Sequence, residues 1–275
     1  MPGTVSARSS PALGRDGPAA TGGGFPGAVA AEWIKLWTVR STWVCMGAAA
    51  VLVSAFAMIA GITGPSRQGG GGGNPPGMSA PATAASGVFF LGQFAALALA
   101  TLMIASEYST GSIVSSLQCV PVRARMLLAK CAVILPVLCC TGVLVGLLGT
   151  GVAAAAIGEH GPPVSGGDVA GQALAIGGYL AFAGVITVGI GAAVRSVAGT
   201  LTATWLLNLL MPVVLQVTRI KWLATAGMYL PGGAGATLLH IADASYGRPT
   251  AVVILAAWAI AAQSAGYVVL RRRDT

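Results

Sequence analysis

The sequence predicts an all-α polytopic membrane protein with six transmembrane helices, and three observations lead to that prediction. Of the 275 residues, 55% are hydrophobic and only 8% are Asp, Glu, Lys or Arg, whereas a soluble domain carries about 25% charged residues. The apolar residues fall into six continuous runs that are long enough to cross a hydrocarbon core about 30 Å thick. These runs do not alternate with polar residues, which excludes a transmembrane barrel, and the high hydrophobicity excludes disorder of the whole chain.

Residues 1–27 are predicted to form a disordered cytoplasmic tail. They are rich in Gly, Pro, Ala and Ser, and such a composition does not bury enough apolar surface to fold. They also lack the apolar stretch of a secretory signal peptide.

Residues 28–43 are predicted to form an amphipathic interfacial helix. Helical spacing puts four of its residues on one face: Trp33, Leu36, Trp37 and Arg40. The other face carries Glu32 and Lys35. Tryptophan is typical of the membrane interface, where an apolar ring with one polar N–H is well accommodated. Two interpretations stay open on composition alone, a simple anchor for the first span or a helix lying along the inner membrane surface.

The six predicted spans lie within a transmembrane domain of residues 44–270, which a basic cytoplasmic tail of residues 271–275 follows. Their predicted bounds are 44–62, 88–105, 131–157, 170–194, 197–217 and 250–270. Pro136 and Pro212 lie inside spans, where neighbouring helices can satisfy the freed backbone groups. No Asp, Glu, Lys or Arg lies within these bounds. The spans therefore offer no ionisable relay at mid-membrane, which weighs against a proton-driven antiporter.

The distribution of Lys and Arg outside the spans predicts the orientation. With both termini in the cytoplasm, 11 of these residues lie on the inner side. Four lie on the outer side: Arg67, Arg219, Lys221 and Arg248. Because inner loops carry an excess of positive charge, this orientation is strongly preferred over its reverse.

Residues 106–130 form the predicted cytoplasmic loop between the second and third spans. Glu107 lies where the helix leaves the membrane, Gly111 allows a turn, and a short helix over 112–118 is expected to stop before Pro121. Three basic residues follow, which we expect at the lipid headgroups: Arg123, Arg125 and Lys130. Spacing alone modestly favours an ordinary positively charged inner loop.

Several kinds of chemistry are missing from the sequence. The three lysines follow Ile34, Ala129 and Ile220, so none completes a phosphate-binding Gly-Lys-Ser/Thr loop. Only two histidines, His160 and His240, are present, and neither belongs to a zinc motif. No basic stripe is interleaved with aromatic residues, as nucleic-acid binding would need. We therefore expect no catalysis, no metal and no nucleic-acid partner for this chain.

Two segments together resemble the permease subunits of type 2 ATP-binding cassette (ABC) exporters, most closely those of high-GC Gram-positive bacteria. One is Glu-Trp-x-Lys-Leu-x-x-x-Arg-Ser-Thr-Trp at 32–43, and the other begins Ser-Glu-Tyr-Ser-Thr-Gly-Ser-Ile at 106–113. The resemblance implies an interfacial helix before the first span and a coupling helix after the second that docks on a separate ATPase. The residues that match the coupling-loop motif are Glu107, Tyr108, Gly111, Ile113, Pro121, Arg123 and Arg125. Val114, Ser115 and Ser116 stand where relatives often carry a basic residue.

The same resemblance implies a function. The chain would form the translocation pathway of an exporter in a bacterial plasma membrane, paired with a second permease copy or paralogue. ATP and Mg²⁺ would be bound by the partner ATPase and not by this chain. The apolar spans suggest an apolar or amphipathic cargo, such as a small molecule, peptide or lipid. The rival interpretations are a secondary transporter or channel and a membrane subunit that transports nothing.

Overall fold

The computed structural model describes residues 24–67, 79–109, 123–158, 161–218, 220–242 and 244–272. All regular secondary structure in these ranges is helical, which confirms the predicted all-α class. The predicted disordered tail, as far as residue 23, and the predicted coupling helix at 112–118 lie outside the described residues.

Within the described residues, six helical segments are long and apolar enough to cross a membrane, as predicted. We number them spans 1 to 6, and their bounds are Arg40–Thr63, Ala80–Ala105, Ala124–Ile157, Gly166–Val194, Val197–Val217 and Arg248–Arg272. Span 2 begins eight residues before its predicted start at 88. Residues 80–87 are mostly small and only weakly apolar, and they form a helix because nearly all of them are buried against neighbouring helices.

The helix before span 1, α1, covers Gly24–Thr38, and α2 covers Arg40–Arg67. The predicted interfacial helix therefore starts earlier and ends earlier than residues 28–43, and Arg40 belongs to the next helix. We call the junction between α1 and α2 the elbow. It lies at the basic end of the bundle, which we define as the end where span 1 begins and span 6 finishes.

Glycines bring the central helices into backbone contact. A Cβ atom at Gly142 of span 3 would lie 2.8 Å from the Cα atom of Gly177 in span 4. A Cβ atom at Gly189 of span 4 would lie 2.5 Å from the carbonyl carbon of Ala262 in span 6. No side chain fits at these distances, and such close approach is how helices associate in lipid. Span 4 is consequently the centre of the bundle, with most of its length buried.

Spans 2 and 5 each contain one π-helical turn, at Val88–Gly92 and at Leu206–Leu210. The rings of Phe94 and Trp205, which lie beside the two turns, have centroids 4.9 Å apart. The two irregular turns therefore face each other at a similar depth. Single π-helical turns are frequent at functional sites, where they redirect side chains.

A helical hairpin returns into the bundle between spans 5 and 6. Its two helices cover Lys221–Met228 and Pro231–Leu238. A Cβ atom at Gly232 would overlap the Asn208 carbonyl oxygen in the middle of span 5. Trp258 Nε1 of span 6 donates to the Tyr229 carbonyl at the hairpin tip, at 2.9 Å. The tip is thus inserted to about mid-span depth.

Two further hydrogen bonds hold the hairpin in place. Gln172 Nε2 donates to the Leu239 carbonyl at the outer base, at 2.9 Å, and the Tyr246 hydroxyl donates to the Met228 carbonyl beside the tip. Burial raises the pKa of the Tyr246 phenol, so the hydroxyl stays protonated and able to donate.

Candidate functional site: a buried charge cluster

Four charged side chains meet at the basic end of the bundle, and we call them the charge cluster: Glu32, Lys35, Glu107 and Lys130. Lys130 is at its centre. Its Nζ atom lies 2.9 Å from both carboxylate oxygens of Glu32 and 2.8 Å from Oε1 of Glu107. A further bond of 3.3 Å reaches the Met103 carbonyl oxygen. The Lys130 side chain is 0% exposed and that of Glu107 is 1% exposed.

Lys35 completes the cluster by pairing with the same Oε1 atom of Glu107. Its side chain is 44% exposed, so one edge of the cluster faces outward. Two carboxylates and two ammonium groups leave the cluster with no formal net charge. The second carboxylate oxygen of Glu107, Oε2, is buried without a hydrogen-bond partner among the described residues.

Three helices supply the cluster. Glu32 and Lys35 are three residues apart on α1, which puts them on neighbouring positions of one face. Glu107 lies in the last turn of the helix Gln93–Ser109, which extends beyond the end of span 2. Lys130 lies two turns into the helix Arg123–Ile157. Buried charges are tolerated only when they are paired and hydrogen-bonded. The cluster therefore fixes how α1 sits against spans 2 and 3.

The structure corrects the predicted faces of the interfacial helix. The buried residues of α1 are Ala28, Glu32 and Leu36, so Glu32 is on the buried face and the prediction that placed it opposite Leu36 is wrong. Trp33, predicted on the apolar face, is 44% exposed. The tryptophan rings nevertheless form a ladder across the elbow, with centroids 5.7 Å apart for Trp33 and Trp37 and 5.2 Å apart for Trp37 and Trp43. Arg40 is exposed.

The predicted coupling-loop residues have different positions. Glu107 is buried in the charge cluster, whereas Arg125 is exposed. The backbones of Tyr108 and Arg123 are helical, and their side chains are outside the description. Gly111, Ile113 and Pro121 lie outside the described residues.

Lys130 is the residue whose role the sequence reasoning missed. We predicted it at the lipid headgroups together with Arg123 and Arg125, and the structure shows it fully buried between two carboxylates. A signal was present, since Lys130 is a single charge between Met126-Leu127-Leu128-Ala129 and Cys131-Ala132-Val133. A lone lysine within an apolar helical run usually faces the protein interior and has a partner there.

A second set of polar groups lies in the middle of the bundle. The Tyr179 hydroxyl of span 4 donates to Oε1 of Gln93 at 2.6 Å, directly after the π-helical turn of span 2. Asn208 lies in the π-helical turn of span 5 and donates to the Thr204 carbonyl at 2.8 Å. Its Oδ1 atom is buried without a partner among the described residues. All three side chains belong to residues that are fully buried, so they contribute to the packing of the bundle and do not face lipid.

The fold and the charge cluster define a class, a helical membrane protein with six candidate spans in its described residues, in which buried ion pairs join helix α1 to the helices of spans 2 and 3. No family model matches the chain, and no curated protein matches it. The described residues contain no group of three or more His, Cys, Asp or Glu side chains that could hold a metal ion.

Proposed function

We propose that this chain is the permease subunit of a type 2 ABC exporter in a bacterial plasma membrane, and that it works with a separate ATPase. One observation carries the proposal. The charge cluster joins α1 to both helices that flank residues 110–122, because Glu107 precedes this segment and Lys130 follows it. A segment that passes mechanical work from an ATPase to the spans needs firm attachment at both of its ends.

The helical continuity of the flanking segments supports the same proposal. The helix Gln93–Ser109 runs from the π-helical turn of span 2 to the start of the loop, and the helix Arg123–Ile157 runs from the end of the loop through span 3. A push on residues 110–122 would therefore move the basic halves of both spans as rigid bodies. Because Lys130 and Lys35 share Glu107, α1 would move with them.

In this proposal the exposed loop residues contact the ATPase, and the buried ones hold the loop in position. Arg125 is exposed and belongs to the first group. The family resemblance assigns ATPase contacts also to Tyr108, Gly111, Ile113, Pro121 and Arg123. Glu107 belongs to the second group, since its side chain is 1% exposed. ATP and Mg²⁺ are bound by the ATPase, and alternating access needs two discrete packings of the spans. A second permease copy or paralogue completes the pathway, and the cargo is apolar or amphipathic.

The proposal predicts an ABC ATPase gene beside the gene for this chain. The test is co-expression of the two proteins, followed by co-purification and measurement of ATP hydrolysis in proteoliposomes. Arg125→Glu should weaken co-purification, because it reverses a charge on the proposed docking surface. Glu107→Gln should preserve co-purification but lower the stimulation of ATP hydrolysis. Lys221→Glu is the matched control, since Lys221 is an exposed cation at the opposite end of the bundle.

Two outcomes would contradict the proposal. One is wild-type association and wild-type stimulation in both Arg125→Glu and Glu107→Gln. The other is transport that continues without ATP and stops when the ion gradients across the membrane are collapsed, which would favour a secondary transporter.

A further inference from the structure

The elbow between α1 and α2 encloses a cavity of about 130 Å³. The apolar lining residues come from the elbow and from span 2, with Leu36, Val39, Leu102 and Met103 among them. The polar lining residues are Glu32, Lys35, Ser41 and Thr42. Because Glu32 is paired with Lys130, the cavity offers an apolar part and a cationic part at Lys35.

The cationic part has unused hydrogen-bonding capacity. A lysine ammonium group carries three N–H donors, and Lys35 uses one of them toward Glu107. Its side chain is 44% exposed, so the remaining donors can reach a ligand at the mouth of the cavity. Ser41, which is half-buried, adds a hydroxyl to the lining of the cavity.

The position of the cavity indicates what kind of molecule reaches it. The elbow carries the ring ladder of Trp33, Trp37 and Trp43, and such aromatic belts mark the depth of the lipid headgroups. The apolar part of span 1 starts immediately after the elbow, at Val44. The cavity consequently lies at the boundary between headgroups and acyl chains.

We infer that the elbow cavity is a phospholipid site, in which Lys35 binds the phosphate of an anionic phospholipid and the apolar wall holds part of one acyl chain. The volume fits, because an apolar cavity of about 150 Å³ binds benzene and stays free of water. The charge also fits, since the lining carboxylate of Glu32 is neutralised by Lys130 and leaves the Lys35 ammonium group to bind the phosphate.

This inference does not depend on the transport function. It does link lipid binding to the charge cluster, because a phosphate on Lys35 shares the ammonium group with Glu107. A change in the bound lipid would then alter the strength of the Lys35–Glu107 ion pair, which joins α1 to the helix that ends at Ser109.

The experiment is a lipid titration of the purified, delipidated full chain by native mass spectrometry. The probes are phosphatidylglycerol, which is anionic, and phosphatidylcholine with the same acyl chains. We expect one phosphatidylglycerol molecule to bind at least about tenfold more tightly than the following ones, as one charge-assisted hydrogen bond would give. Phosphatidylcholine should not show this first tight step.

Variants test each half of the site separately. Lys35→Gln removes the ammonium group that binds the phosphate, and Met103→Trp fills the apolar part. Each variant should therefore abolish the tight binding of the first phosphatidylglycerol molecule. Lys35→Arg should retain it. Arg40→Gln removes a neighbouring cation that does not line the cavity, and Leu128→Trp places the same bulk on an exposed position of span 3. Both of these controls should bind within about twofold of wild type, as expected for positions outside the site.

Thermal unfolding of each variant shows whether it is folded. The absence of a tight step in wild type would overturn the inference, and so would wild-type binding in both folded variants, Lys35→Gln and Met103→Trp. Equal binding of the two lipids, sensitive to Met103→Trp but not to Lys35→Gln, would also overturn it, because the ligand would then be held by its chain alone.

Discussion

Replacement of Lys130 by Met is the sharpest test of the charge cluster. Methionine has a similar length and no charge, so it keeps most of the packing and leaves Glu32 and Glu107 to share the partly exposed Lys35. Removing one partner of a buried ion pair destabilises a protein by about 3–5 kcal/mol. An independent route gives a similar value, because neutralising an ordinary glutamate carboxylate at pH 7 costs about 4 kcal/mol. We therefore expect Lys130→Met to lower the free energy of unfolding by about 3–4 kcal/mol.

The matched variant is Lys35→Met, which removes the other ammonium group of the same cluster. Its side chain is 44% exposed, so solvent screens the pair and we expect a loss of about 1 kcal/mol or less. The assay is reversible unfolding in mixed micelles with increasing mole fraction of denaturing detergent, followed by circular dichroism. The double variant Glu107→Gln/Lys130→Met restores neutrality and should be more stable than the sum of its single variants predicts.

Two results would refute this reasoning. One is a Lys130→Met protein within about 0.5 kcal/mol of wild type, the range of surface substitutions. The other is equal destabilisation by Lys130→Met and Lys35→Met, because burial would then have no effect on the strength of the pairs.

Four further substitutions, of which Gly178→Ala is a control, test the packing and the capping of span 4 in the same unfolding assay. Gly177→Ala should cost about 1–3 kcal/mol, since its Cβ atom would lie 2.7 Å from a carbonyl oxygen of span 3. Gly178→Ala, at a position with open space, should be neutral or stabilising, and equal effects of the two would contradict the packing. Tyr179→Phe removes the hydrogen bond to Gln93 and should cost about 0.6–1.7 kcal/mol. Ser165→Ala removes the capping box at the start of span 4 and should cost about 1 kcal/mol; an unchanged free energy of unfolding would show that this helix start does not depend on its cap.

The spans could be predicted from the sequence because lipid imposes a length and a composition on every helix that crosses it. The prediction was least accurate where a helix faces protein and not lipid. Residues 80–87 are Ala-Pro-Ala-Thr-Ala-Ala-Ser-Gly, whose modest hydropathy gives little sign of a helix, yet almost all of them are buried. The hairpin of residues 221–238 is not predicted from the sequence either, since its glycines matter through close backbone contact and not through hydropathy.

The charge cluster was only partly predictable. The sequence indicates three of its members as site residues, Glu32, Lys35 and Glu107. No short-range sequence pattern shows which of them form ion pairs. Lys130 is 98 residues from Glu32, and Lys35 is 72 residues from Glu107. Such pairs depend on how α1 packs against spans 2 and 3, and that packing is decided by shape and burial over the whole bundle.

The stability of the fold does not by itself explain why this end of the bundle carries buried charges. Replacing a buried ion cluster by well-packed apolar residues is often neutral or stabilising. What the ion pairs add is specificity, because any displacement of α1 relative to Glu107 or Lys130 leaves a charge buried without its partner. Small, continuous displacements are therefore costly, and α1 with the two flanking helices either stays together or changes to a different set of pairs. An element with this property suits a part of the protein that has to switch between discrete arrangements. Lys35 is the residue of the charge cluster best placed to exchange partners, because it alone is substantially exposed.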